Sequence, residues 1–244
     1  MFRLNLIMGS GERTGGALMV CPQRRRADHQ KQLVEMLSRR LAVHSSKRVS
    51  TLASICEDPG NQIDRIVVLF AQGSPRNIIR ICKEIFDQQS EVNSSSNKIS
   101  TEALVRGFEV FAKNYTNEIL PESVIRDLQK LKRADFTIKF VYNDVFKFTQ
   151  QAGISKIKTW LDCGVVEQIG LVQETKGARS SNHYGLTIPL VLKYIMPELS
   201  VFELYDRKMR ICSSCNQLLL RDWDLNHNQT CQSCSGCSCS SSST

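Results

Sequence analysis

Apolar residues recur at helical spacing through the first 130 positions of the chain. Leu33, Met36, Leu37 and Leu41 share one face of a helix that Asp28 can cap and that runs to about His44. A second helix is predicted over Ser50 to Cys56, broken at Pro59-Gly60. A third covers Ile63 to Ala71. Gly73-Ser74-Pro75 then makes a turn, and Pro75 suits the first position of a fourth helix because its missing N–H would be unpaired there anyway. That helix runs from Arg76 to about Gln89, with Ile78, Ile81, Cys82 and Ile85 inward. Ser90 to Ser100 is polar and reads as a linker or exposed loop. A helix starting near Ile99–Glu102 carries Ala103, Leu104, Phe108 and Phe111, and Pro121 opens another through Leu131.

The pattern changes after Ala134. Phe136 to Tyr142 alternates like a short strand. Asn143 or Asp144 opens a helix with Val145, Phe146 and Phe148. Gly153 turns the chain, and Ser155 opens a helix with Ile157, Trp160 and Leu161 inward, ended by Gly164. Val165 to Val172 and His183 to Ile188 are apolar strands on either side of the polar loop 176–182. Strand, helix, turn, helix and hairpin is the order of a winged helix-turn-helix. The predicted architecture is mostly α with a small β content, a modular α+β chain. It has an irregular segment at 1–27, a helical bundle at 28–131, a winged helix at 132–197, a connector, a zinc ribbon at 208–236 and a Ser-rich disordered tail at 237–244.

Charge sharpens this picture. The formal net charge is +8, and residues 1–50 hold ten Lys/Arg against three acids. Such an excess fits a polyanionic partner or a solvated helix face. In a winged helix the second helix enters the major groove and the wing touches the backbone or minor groove. That makes Lys156 and Lys158, pointing outward, and Lys176, Arg179 and Asn182 on the wing the candidate DNA contacts, to double-stranded DNA. Between Leu131 and Ile195, nine Lys/Arg face five acids, a modest excess that is also compatible with protein docking.

Cysteine placement adds a metal. Six of ten cysteines fall between Cys212 and Cys239, whereas Cys21, Cys56, Cys82 and Cys163 are scattered and read as small buried thiols. Cys212-Ser-Ser-Cys215 and Cys231-Gln-Ser-Cys234 are two CxxC knuckles separated by fifteen residues. Two such knuckles can close a tetrahedral four-thiolate zinc site, which is structural because no position is left for substrate. Cys234 with Cys237 is an alternative second knuckle, and His227 an alternative ligand. No stretch approaches the length of a membrane helix and no secretory signal is legible, so the expectation is a cytoplasmic protein.

Leu33 to Leu41, Ile63 to Ala71 and the turn Gly73-Ser74-Pro75-Arg76 together resemble the helical lid of AAA+ and related P-loop ATPases. A lid followed by a winged helix is similar to replication initiators of that group. The resemblance implies that Arg76 stands where the family carries its sensor-2 arginine, with Arg80 one turn on, and that Arg39 and Arg40 precede the lid. The chain departs from the family in lacking Gly-x-x-x-x-Gly-Lys-Ser/Thr. Gly9 to Gly16 has glycines without that lysine, and no apolar strand ends in magnesium-binding acids. No nucleophile or paired carboxylate set stands in its place. The expected role is therefore non-catalytic: a DNA-binding or nucleoprotein-associated module. The alternatives are a scaffold subunit docking a partner ATPase, or an ATP-binding protein completed by a partner chain.

Overall fold

The computed structural model describes residues 22–58, 62–172, 179–212 and 217–222. The fold is α+β and mostly helical, with one three-stranded sheet and one two-stranded hairpin among these residues.

Five helices make the first half: α1 (Pro22–His44), α2 (Ile63–Phe70), α3 (Pro75–Asn93), α4 (Thr101–Ile119) and α5 (Glu122–Leu131). α2 is apolar nearly all round, with six of its eight residues buried, because neighbours cover it on several sides. Ser74 caps α3 by accepting from the Asn77 N–H, and Pro75 occupies its first position as predicted. Ser100 caps α4 in the same way through Ala103 N–H. α3 and α4 cross at Gly107, where an added Cβ would lie 2.7 Å from the Ile85 Cα, so only glycine admits that approach. Phe70 meets Phe108 edge to face at 5.3 Å, and both are fully buried. Each ring contributes about 1.5–3 kcal/mol by leaving water.

The second half holds β1 (Asp135–Thr137), a π-helical turn (Phe140–Val145), α6 (Gln150–Asp162), β2 (Val166–Val172) and β3 (Ser181–Leu186). Next come α7 (Pro189–Ile195), α8 (Val201–Lys208), β4 (Met209–Ile211) and β5 (Leu218–Leu220). The sheet order is β1-β3-β2, antiparallel throughout, with Phe136 opposite Tyr184 and Val166 opposite Leu186. α7 packs on α4, α2 and α5, so one apolar core continues from Leu33 to Leu220. Lys193 on α7 is buried, and its Nζ donates to Glu109 at 3.0 Å, to Pro197 O at 3.2 Å and to Leu199 O at 2.9 Å. Its three protons thus tie α7 to α4 and to the turn before α8. A Ser200–Glu203 capping box starts α8. Among the described residues no helix is long and apolar enough to cross a membrane.

Several local expectations are corrected. α1 begins at Pro22 rather than Asp28, through a polar run with no apolar period to reveal it. Ser50 to Cys56 holds only a 3-10 turn at Ala53–Ile55, because Cys56 pairs with Ile99 as a bridge and Asp64 accepts the Leu52 N–H. α3 continues to Asn93, shortening the expected linker, and the Gln89 side chain stitches the two helices by accepting Ser100 N–H and donating to Asn93 O. The strand expected over Phe136–Tyr142 stops at Thr137, where the backbone coils into the π-helical turn. The helix expected from Asn143 or Asp144 is absent, since that turn already contains both residues. Gly153 does not turn the chain. It lies inside α6, which Thr149 caps, and lets the helix sit against Tyr142, whose Cβ would be 2.9 Å from a Cβ at 153. Leu161, expected inward, is exposed. The connector after Pro197 is largely α8, and α7 had no predicted counterpart. Gly164 ends α6 at φ +69 as expected. The expected irregular N-terminus up to Cys21 and the tail 237–244 lie outside the described residues.

Candidate nucleic-acid interface and cysteine knuckle

α6 and the edge of β3 enclose an open groove of about 610 Å³. Its cations are Lys139 from the β1 side, Lys158 from α6 and Arg179 from the chain entering β3. Ser180, Ser181, Asn182, Tyr142 and Tyr184 supply hydroxyl and amide groups, and Ile154 and Leu161 add exposed apolar surface. Among the described residues no Asp or Glu lines it. Several cations gathered in one groove favour phosphate oxygens.

The predicted contacts divide within it. Lys158 and Arg179 are exposed. Asn182 is also exposed and oriented by two neighbours: its Oδ1 accepts from Gln168 Nε2 at 3.4 Å, and its Nδ2 donates to the Tyr184 hydroxyl at 3.3 Å. Lys156, expected outward, instead turns toward α5. Its Nζ reaches Asp127 at 2.6 Å and lies 4.8 Å from the Phe146 ring centroid. The π-helical turn and the segment after it bring Phe146 and Phe148 beside α6, and this aromatic pair draws the ammonium inward. Lys176 lies outside the described residues. The sequence pattern passed over Lys139, Tyr142 and Ile154, because the expected strand at 136–142 hid the turn that presents the first two.

Arg76 is exposed at the start of α3. Arg80, one turn on, pairs with Glu118 at 2.9 Å and stacks over Phe111 at 5.1 Å, which fixes it to α4. Arg39 pairs with Glu35 along α1.

Of the four predicted zinc ligands, Cys212 is described and Cys215, Cys231 and Cys234 are not, nor are His227, Cys237 and Cys239. The described residues contain no metal-competent cluster. Cys212 itself directly follows β4. It is fully buried, and its N–H donates to Gln217 O at 2.9 Å, one rung beyond the Ile211–Leu218 pair. Cys56 and Cys82 are buried, and burial with the nearby Asp64 charge pushes their thiols up to about 11 and about 12. Both are inert thiols at neutral pH. Cys163 is exposed rather than buried.

No family model, curated protein or solved structure matches this chain.

Proposed function

We propose that the chain is a DNA-binding module in which α5 to β3 acts as a winged helix-turn-helix and the C-terminal cysteines hold a structural zinc ion. The observation that carries this reading is the groove bearing Lys158 and Arg179 beside α6, lined by no Asp or Glu among the described residues. In the winged-helix reading, α6 is the helix presented to the major groove and the β2–β3 connection, with Lys176, is the wing. The order β1-β3-β2, with α6 between β1 and β2, supports that assignment. Lys158, Arg179 and Lys176 contact phosphates, and Asn182, pre-oriented by Gln168 and Tyr184, is the polar group for a sugar or base edge. Lys156 holds α6 against α5 and drops out of the contact set.

The test is fluorescence anisotropy with a labelled duplex at about 50 and about 200 mM salt. Binding should weaken steeply between them. Replacing Lys158, Lys176 and Arg179 by Ala should reduce the log–log salt slope by about 0.9 for each phosphate that is no longer neutralised. An unchanged slope removes these residues from the interface.

A second reading is favoured by the other half of the molecule. Arg76 stands exposed in a turn that resembles an ATPase lid, and Ile79, Phe86 and Val43 expose apolar surface nearby on α3 and α1. On this reading the helical half docks a partner ATPase, or completes an ATP site on a partner chain, and Arg76→Ala would weaken that association without touching DNA binding.

A further inference from the structure

The sheet face turned away from α6 carries a cluster of charged groups, with Ile169 packed against Gly185 beside them. Asp135 on β1 and His183 and Gly185 on β3 point to that side, since Phe136 and Tyr184 occupy the other. Arg221 and Asp222 follow β5 and reach beneath the sheet. The Asp222 Oδ2 accepts Ala134 N–H at 3.1 Å, and its own N–H donates to the Asp135 Oδ1 at 3.3 Å. Lys208 at the end of α8 pairs with the Asp222 Oδ1 at 2.8 Å, and His183 Nε2 lies 3.5 Å from the Asp135 Oδ2. Arg221 covers Gly185: a Cβ there would be 2.7 Å from its Nη1. The side chains of Asp135, Asp222, His183 and Lys208 are at most 9% exposed. Glu167 on β2, opposite Gly185, faces the same side from the half-buried rim.

We propose that this junction is a proton-sensitive latch, docking the cysteine-bearing hairpin under the sheet and so fixing β3, with Asn182, at the edge of the cationic groove. The consequence for DNA rests on the function proposed above, whereas the docking does not. An apolar contact would hold at any pH. Here two carboxylates share a buried site: Lys208 pairs with Asp222, and the Asp222 charge and burial together oppose a second charge on Asp135. Burial and the Asp222 charge push Asp135 up to about 7, against the pull of Arg221. A folded pKa raised above the free carboxylate value means that the docked form holds a proton the undocked form releases. Docking is therefore firm at acidic pH and loosens as pH rises through about 7.

The experiment is amide hydrogen exchange on the full chain from pH 6 to pH 8, corrected for intrinsic rates, reading 181–186, 209–212 and 217–222. Opening of these amides should increase about tenfold across that range. In Asp135→Asn, whose carboxamide mimics the protonated acid, it should stay flat. Thiolate–metal binding at the knuckle moves the other way, since thiols lose protons to bind, so the sign separates the two effects. Constant protection in the wild type, or an unchanged tenfold rise in Asp135→Asn, overturns the latch. Should Asp135→Asn fail to fold, the wild-type series decides alone. Rising exchange without any DNA binding supports the latch and refutes the groove's ligand. Flat exchange with salt-dependent DNA binding does the reverse.

Discussion

On one face of the β1-β3-β2 sheet, Phe136 stacks on Tyr184 and meets Trp160 edge to face at 5.8 Å, with Trp160 fully buried. On the opposite face, Asp135, His183, Arg221, Asp222 and Lys208 gather around Gly185, with Ile169 the apolar side chain against it. The aromatic side depends on area removed from water and is insensitive to pH and salt. The ionic side depends on every partner being present, because a buried charge deprived of its partner keeps its desolvation penalty. Two packing solutions on opposite sides of one sheet thus give one permanent attachment and one conditional attachment.

Mutations should separate the two faces. Trp160→Ala removes the largest fully buried ring among the described residues and should destabilise by about 3–5 kcal/mol in urea unfolding, equally at pH 6 and pH 8. Asp222→Ala removes the 2.8 Å carboxylate partner of Lys208 and the acceptor of the Ala134 N–H and should lose a similar or slightly smaller amount, about 3 kcal/mol, with hydrogen exchange rising first in the hairpin. Equal stability loss at both faces with no difference in where exchange begins would remove the contrast. Next in size is the pH effect. Between about pH 4 and pH 7 the folded chain retains a proton on Asp135 that the unfolded chain has lost, so stability should fall as pH rises, by at most about 1.4 kcal/mol per unit relative to Asp135→Asn. A wild-type profile parallel to the variant would place that proton elsewhere. Smallest are the groove cations: Lys158→Ala and Arg179→Ala should change stability by less than about 0.5 kcal/mol while lowering the salt slope for DNA.

The helical half was legible because its apolar residues repeat at 3.6 and its caps are local. Ser74-Pro75 and Ser100 mark their helix starts, and each acts within four residues of itself. Residues 134–164 were misread where local signals compete. Phe136 to Tyr142 alternates, yet only three residues of β1 find a partner on β3, and the remainder coils. Gly153 reads as a breaker until the neighbouring Tyr142 shows why a side chain is excluded there. Lys156 and Lys158 are alike in sequence, two positions apart on one helix, and only the aromatic pair Phe146–Phe148 and the acid Asp127 turn one inward.

The chain by itself determined the starts of α3 and α4 at Ser74-Pro75 and Ser100, the basic balance and the CxxC spacings, since each depends on residue type and separation along the backbone. Tertiary structure alone decided which cations share a groove, and that Asp135 and Asp222, 87 residues apart, meet beneath one sheet. Long-range pairing of polar groups leaves no periodic trace, because its energy arises from desolvation and partner geometry that exist only once the layers have closed.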